Sequence, residues 1–173
     1  RGDAAADSDG SISLDGSGDY VEIPNVAEYE ITHATIEVSF SVDALGGSQT
    51  IVSRDSHGYD DGGHFTMRVE NDGSLWVRHQ SDSQSYYITV SDPKIVAGQD
   101  YTLTYSFGPE KGMELYLDGT LVGSNDAPVT DGADISLGNN SEPWTLGANQ
   151  WGSSNGAADN LMHYLEGSIQ EFT

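Results

Sequence analysis

The stretch Met113-Glu-Leu-Tyr-Leu-Asp-Gly-Thr-Leu-Val122 decides the fold class of this chain. Up to Leu117, apolar side chains occupy every second position, which is the period of a strand with one buried face. Asp118 and Gly119 both tolerate positive φ, so they favour a tight two-residue turn that sends the chain back along Thr120–Val122. The stretch therefore predicts a β-hairpin with one buried face and one solvent-exposed face.

The same two-residue period recurs along the rest of the chain, and almost no helical period is present. The further predicted strands are Ser11–Asp15, Asp19–Ile23, Ile36–Val42, Gln49–Arg54, Phe65–Val69, Leu75–Arg78, Tyr86–Val90, Tyr101–Phe107, Trp144–Ala148 and Leu161–Phe172. Short strands with turns about every eight to twelve residues predict an all-β antiparallel sandwich. Two long glycine-rich loops, 53–64 and 149–160, interrupt this pattern, and long loops on a rigid sheet commonly carry binding sites.

Length and composition limit the possible classes of protein. The 173 residues predict one domain, 1–173, and the absence of cysteine excludes disulfides and thiolate metal sites. The sequence contains 28 acidic and 6 basic residues, a net charge of −22, and such a surface repels nucleic acid and anionic lipid. With no apolar run of about eighteen residues, we expect no membrane insertion. The start at Arg1 favours a domain excised from a larger secreted protein.

The acidic surface has two explanations. Most aspartates lie in turns beside glycine, asparagine or serine, so several loops could supply the oxygen ligands that Ca²⁺ prefers. A high-salt habitat, in which dissolved salt screens the self-repulsion of the surface, would select a similar composition. In the adjacent pair Asp60 and Asp61, neighbouring carboxylates repel unless a cation or solvent separates them. A solvated turn is the alternative at that position.

Five segments together resemble the bacterial laminin-G-like domains of the concanavalin A-like jelly-roll superfamily. They are Leu14-Asp-Gly-Ser-Gly-Asp-Tyr-Val-Glu-Ile-Pro24, Ala34-Thr-Ile-Glu-Val-Ser-Phe40, Tyr101-Thr-Leu-Thr-Tyr105, Leu115-Tyr-Leu-Asp-Gly119 and Leu165-Glu-Gly-Ser-Ile-Gln-Glu-Phe172. The resemblance spans nearly the whole chain. It implies a jelly roll that binds glycans or protein surfaces outside the cell, as a secreted or surface module, although the same fold also hosts glycosidases.

The resemblance also implies particular calcium ligands. In laminin-G domains an aspartate just before the strand that begins here at His64 ligates a calcium at the rim, and Asp61 is the nearest match, followed by Asp60. The facing loops 80–83 and 149–155, including Asn149, could complete such a site. In laminarinase-like relatives an acid in the closing motif ligates a second, structural calcium near the N-terminal strands. This chain has Gln170 there, a neutral and weaker ligand.

Catalytic patterns are absent or broken. Hydrolases on this scaffold carry a Glu-x-Asp-x-x-Glu strand, and the nearest match, Glu70-Asn-Asp72, lacks the last acid because Leu75 follows. No Gly-x-Ser-x-Gly motif occurs, and a thiol nucleophile is excluded. His57 and His64 lie seven residues apart in a loop without an evident supporting partner, which argues against zinc. We therefore expect a non-enzymatic protein, with a polysaccharide-degrading enzyme that uses atypical acids as the alternative.

Candidate ligand-binding residues come from exposed aromatic side chains. Trp151 lies among amides and glycines with no apolar neighbour, so it is predicted to contact a sugar ring beside Asn149 and Asp61, or else to cover one end of the core. Trp76 and Arg78 share one face of a strand, and Tyr87 or Tyr86 could join them as a binding face or as a cross-strand pair that serves only the sheet. Trp144, after Pro143, is predicted to be core.

The sequence thus predicts a carbohydrate- or cell-surface-binding module of an adhesin-like protein, with bound Ca²⁺. A glycan or cell-surface polymer is the expected partner. A module that binds protein or merely spaces its neighbours within a large surface protein is the alternative.

Overall fold

A computed structural model of the chain describes residues 1–57, 62–138, 140–154 and 156–173. The strands are β1 (Ala5–Ala6), β2 (Ile12–Asp15), β3 (Val21–Ile23), β4 (Ala34–Val42), β5 (Gln49–Arg54), β6 (His64–Val69), β7 (Leu75–Gln80), β8 (Ser85–Val90), β9 (Asp100–Gly108), β10 (Gly112–Leu117), β11 (Thr120–Asn125), β12 (Trp144–Leu146) and β13 (Glu166–Phe172). A 3-10 turn, Ala27–Tyr29, and one short helix, α1 (Ala127–Asp131), complete the regular structure of the described residues.

The strands form two antiparallel sheets packed face to face. One sheet has seven strands in the order β1-β2-β13-β4-β9-β10-β11, and the other has six in the order β3-β12-β5-β6-β7-β8. Neighbours in both sheets come from distant parts of the sequence, as in the pairs β2–β13 and β3–β12. This arrangement confirms the predicted all-β sandwich with a jelly-roll architecture.

The hairpin predicted from residues 113–122 is confirmed. β10 and β11 pair antiparallel with Leu117 opposite Thr120. Asp118 and Gly119 have φ of 49° and 75°, the backbone that a two-residue hairpin turn of the primed type requires. Its inward side chains join the core, because Met113 and Leu115 are fully buried.

The core lies between the sheets and follows the alternation in the sequence. Along β4 every second side chain is fully or almost fully buried, and Glu37, Ser39 and Ser41 lie on the other face. Trp144 is buried as predicted, and its ring meets that of Phe65 edge to face at 5.3 Å.

Strand β5 is buried along its whole length, unlike a strand with one solvated face. The segment that connects β12 to β13 covers it, because the Gln150 side chain donates to the Ser53 carbonyl at 3.0 Å. The backbone of the same segment accepts a hydrogen bond from Thr50 through the His163 carbonyl. This connection therefore lies against the six-stranded sheet and forms one wall of a cleft.

Arg54, at the end of β5, ties two connections to the core, the one between β3 and β4 and the one between α1 and β12. Its buried guanidinium donates to the carbonyls of Glu142, Tyr29 and Asn140 and to the Asn25 side chain, with the last two bonds at 2.5 and 2.7 Å. Burial lowers the pKa of Arg54 to about 10, which leaves it charged at neutral pH.

Several predicted strands are shorter than expected, and β3 begins at Val21 instead of Asp19. The strand predicted at 144–148 ends at Leu146, and the one predicted at 161–172 begins at Glu166. Before Glu166, a single bridge between Asn149 and Met162 replaces the ladder. The physical reason is the segment between β12 and β13, which we call the wall segment. Its backbone turns away from the sheet to cover β5.

Candidate functional site

A cleft of about 320 Å³ opens on the outward face of the six-stranded sheet. We call it the sheet cleft, and its lining residues are Asp55, Arg68, Arg78, Asn149, Trp151, Met162 and His163. Strands β6 and β7 supply the arginines, and the segment between β12 and β13 supplies the opposite wall. Its volume lies at the small end of the range of about 300–1,000 Å³ for ligand pockets, so it suits one or two sugar-sized groups.

Asp55 forms the buried floor of the sheet cleft and has no exposed surface. Arg78 donates through Nη2 to both of its carboxylate oxygens, at 2.7 and 2.6 Å, and the Thr66 hydroxyl donates at 3.0 Å. The Nδ1 of His64 lies 3.8 Å from the same carboxylate. Desolvation outweighs these partners and raises the pKa of Asp55 to about 6.

A strip of stacked side chains runs from the cleft across β6, β7 and β8. The Arg68 guanidinium lies 3.8 Å above the centre of the Trp76 ring, and its Nε donates to Glu70 at 2.6 Å. Trp76 and Tyr87 lie 5.6 Å apart between ring centres. The register that pairs Arg68 with Trp76, and Arg78 with Tyr87, produces this strip. Such a stack holds the Arg68 fork flat and fixes its direction.

Trp151 forms the exposed end of the wall, with 43% of its surface accessible. Its ring lies 5.2 Å from the His57 ring, and its backbone N–H donates to Oδ1 of the buried Asn149 at 2.6 Å. Asn149 is in turn held by the bridge to Met162. The indole is therefore supported from behind but open toward solvent, which contradicts the alternative that it covers the core.

The structure brings most predicted ligand residues together. Asn149, Trp151 and Arg78 line the sheet cleft, and Trp76 lies directly under Arg68. Tyr87, with 48% of its surface exposed, stands opposite Arg78, whereas Tyr86 points into the core. The predicted residues Asp60 and Asp61 lie outside the described residues.

Arg68, Asp55, Met162 and His163 were not among the predicted ligand residues. Arg68 alternates with the core residues Met67 and Val69 along β6, and the Asn71-Asp72-Gly73 turn sets its register with Trp76. That signal could have found Arg68. No local pattern marks Met162 or His163, because only the returning wall segment brings them to the cleft.

A separate cluster of carboxylates lies at the N-terminal strands. One carboxylate oxygen from each of Asp3, Asp15 and Asp19 lies within 4.8 Å of the others, an arrangement that suits a hard cation such as Ca²⁺. Asp19 is buried and accepts the backbone N–H groups of Asp3 and Asp15.

Gln170, predicted from the sequence as a weaker calcium ligand near the N-terminal strands, is not part of this cluster. β13 pairs with β2 through Glu166–Ile169, with Glu166 opposite Asp15, so Gln170 lies about 13 Å farther along the strand. A register shift after Ile169 turns its amide toward β9, where it donates to Oδ1 of Asp100 at 3.1 Å.

The acids nearest to a hydrolase motif have structural partners. Asp72 accepts from the Ser74 backbone and hydroxyl and from Lys94 at 2.7 Å, and these bonds hold its pKa well below the ordinary value. Glu70 is bonded to Arg68 and Ser48. A general acid needs a raised pKa and access to the substrate, and Asp72 has a lowered pKa at a hairpin tip.

The chain belongs to the concanavalin A-like lectin/glucanase superfamily, whose laminin-G-type family model matches residues 15–166. No curated protein sequence matches it. Among the described residues, no helix has the length and apolar character needed to cross a membrane.

Solved structures share the fold at low sequence identity. A heptameric SAP-like pentraxin from Limulus polyphemus aligns with a TM-score of 0.62 and 16% identity, over 94% of this chain and 74% of its own. The CBM40 module of a Ruminococcus gnavus sialidase, bound to α2,3-sialyllactose, aligns with a TM-score of 0.62 and 14% identity. The alignment covers 90% of this chain and 88% of the module. Domains LG4-5 of the mouse laminin α1 chain align with a TM-score of 0.61 and 12% identity, over 94% of this chain and 39% of their own.

Proposed function

We propose that this domain is a non-catalytic carbohydrate-binding module of a secreted or surface protein, and that the sheet cleft is its binding site. The observation that carries the proposal is the supported but exposed indole of Trp151 at the edge of a cleft lined by polar groups. Sugar rings present C–H faces that pack on flat aromatic rings, and their hydroxyls bond to amide and guanidinium groups. Trp151, Asn149 and Arg78 supply both kinds of contact within one small space.

The environment of the buried acid supports binding rather than hydrolysis. Both oxygens of Asp55 are engaged by Arg78, and the carboxylate has no exposed surface with which to reach a glycosidic oxygen. The CBM40 module described above has a similar fold and binds sialyllactose, which gives further support, because a sheet architecture of this kind can present a sugar site.

A glycan array followed by calorimetry on the bound glycans tests the proposal. We expect Trp151→Ala to weaken binding by at least about tenfold with little change in thermal stability, since the side chain is largely exposed. Leu121→Ala is the control, because that residue is similarly exposed but lies on β11 of the other sheet. An empty array, or undiminished binding by the Trp151 variant, would contradict the proposal.

We also propose that the domain binds Ca²⁺. Support comes from the carboxylate cluster of Asp3, Asp15 and Asp19, and from the adjacent acids Asp60 and Asp61 in the sequence. Calcium should raise the unfolding midpoint of the chelator-treated protein, and Asp19→Asn or Asp61→Asn should identify the site that causes the rise. If sodium chloride raises the midpoint and calcium does not, the acidic surface reflects a saline habitat instead.

A further inference from the structure

The hydrogen-bonding groups of the sheet cleft are unbalanced in favour of donors. Arg68 uses only Nε, toward Glu70, so both terminal nitrogens have no partner among the described residues. Arg78 uses only Nη2, toward Asp55, and its Nε is buried without a partner in the described part of the chain. The Asn149 amide nitrogen also lacks a described partner, since only its oxygen is engaged, by Trp151.

The carboxylates beside these donors already accept hydrogen bonds from the protein. The Asp55 carboxylate receives Arg78 and Thr66, and the Glu70 carboxylate receives Arg68 and the Ser48 hydroxyl. A neutral sugar hydroxyl donates one proton for each position at which it accepts, so it needs acceptors as well as donors. A carboxylate or sulfate only accepts, and it matches the planar fork of an arginine in a bidentate contact.

The position of the arginines is notable against the composition of the whole chain. Only 6 residues are basic against 28 acidic, yet two of the six converge on this cleft. Both are partly shielded from water, with side-chain exposures of 21% for Arg68 and 12% for Arg78. Partial burial strengthens a charged hydrogen bond relative to one in open solvent. The stack on Trp76 further holds Arg68 in place before a ligand arrives.

We propose that the sheet cleft selects acidic saccharides, and that the terminal nitrogens of Arg68, assisted by Arg78, bind the anionic group of the sugar. The Trp151 ring then packs against the neighbouring sugar ring. This inference rests on the proposed carbohydrate-binding function and names the chemical class of its ligand. Arg68 sets the preference for acidic over neutral sugar, whereas Trp151 contributes to the binding of either.

Matched pairs of acidic and neutral sugars test the preference. The probes are α2,3-sialyllactose against lactose, digalacturonic acid against its methyl ester, and a sulfated lactose against lactose, measured by calorimetry. We expect at least one acidic member to bind about tenfold or more tighter than its neutral counterpart. The three pairs also distinguish carboxylate from sulfate as the preferred group. Equal affinities within every pair would overturn the proposal.

Variants assign the preference to Arg68. Arg68→Met keeps an unbranched apolar stem and removes the donors, so it should reduce the affinity for the acidic probe to that for the neutral one. Arg68→Gln is a second replacement in case the methionine variant fails to fold. Lys94→Met is the control, because it removes another ion-paired cation at the Asp72 hairpin tip. Retention of the acidic preference in folded Arg68 variants would overturn the proposal.

The two proposals fail in different ways. If neutral and acidic sugars bind equally and Trp151→Ala weakens both, the domain is a carbohydrate-binding module without charge selectivity. If no sugar of either kind binds, the proposed function itself is wrong.

Discussion

Replacing Asp55 with asparagine should change how the stability of this protein depends on pH. Burial raises the folded-state pKa of Asp55 from 3.8 to about 6, so between these values the folded protein holds a proton that the unfolded chain has released. Stability from this group is fully present below the lower value and is lost as pH rises through the upper one.

The magnitude follows from the two pKa values. The full loss at neutral pH is about 3 kcal/mol, and between about pH 5 and pH 7.5 the change is about 1.4 kcal/mol. His79 acts in the opposite direction, because burial lowers its pKa from 6.5 to about 3. At pH 5 the unfolded chain therefore binds a proton at this histidine that the folded chain does not bind. This lowers the free energy of unfolding by about 2 kcal/mol. The two effects nearly cancel in the unaltered protein.

Comparing the unaltered protein with the Asp55→Asn variant separates the effect of Asp55 from that of His79. Urea unfolding followed by tryptophan fluorescence, at about pH 5 and about 7.5 in high salt, gives the unfolding free energy of the unaltered protein and of Asp55→Asn. His79 contributes equally to both, so moving to the lower pH should favour the unaltered protein by about 1.4 kcal/mol relative to the variant. Asparagine keeps an acceptor for Arg78, which limits other changes at the site.

Parallel pH profiles would refute the reasoning, because they would mean that Asp55 titrates in the folded protein as it does in the unfolded chain. His64 lies 3.8 Å from Asp55, so the same comparison in a His64→Asn background shows whether the proton belongs to Asp55 alone or to the pair. A profile in which the unaltered protein loses stability relative to the variant at low pH would also contradict the assignment.

Other substitutions test the scaffold by chemical unfolding. Arg54→Met should cost at least about 3 kcal/mol, because several buried carbonyls lose their donor, and a smaller cost would mean that water replaces it. Gly63→Ala should lower the free energy of unfolding by roughly 2 kcal/mol or more, since the added Cβ would meet a backbone oxygen at 2.2 Å. Gly98 has a similar φ but open space around it, so Gly98→Ala should lower it by only about 1 kcal/mol. Equal losses would show that backbone conformation alone matters. Tyr105→Phe should lower the free energy of unfolding by about 1–2 kcal/mol, because it removes a hydrogen-bond partner of buried His79, and a neutral result would refute that contact.

Much of the scaffold could be predicted from the sequence because its signals are local. The period of two places every second side chain of β4 and β9 in the core, and the Asp118-Gly119 turn sets the pairing of β10 with β11. The shortening of the last two predicted strands could not be foreseen. It results from a connection that folds back over β5, and nothing in the local pattern distinguishes such a wall from a strand.

The sequence by itself determined the all-β strand pattern, the β10–β11 hairpin and the shared face of Trp76 and Arg78, because each depends on residues within a few positions of one another. The tertiary structure alone decided that Asp55, Arg78 and Asn149 meet at one cleft, that the Trp151 indole stays exposed, and that Gln170 lies apart from the cluster of Asp3, Asp15 and Asp19. Strand order and register are set by packing between distant segments, and they determine which side chains become neighbours. The scarce basic residues are therefore ordinary in the sequence and become a donor-rich site only in the folded chain.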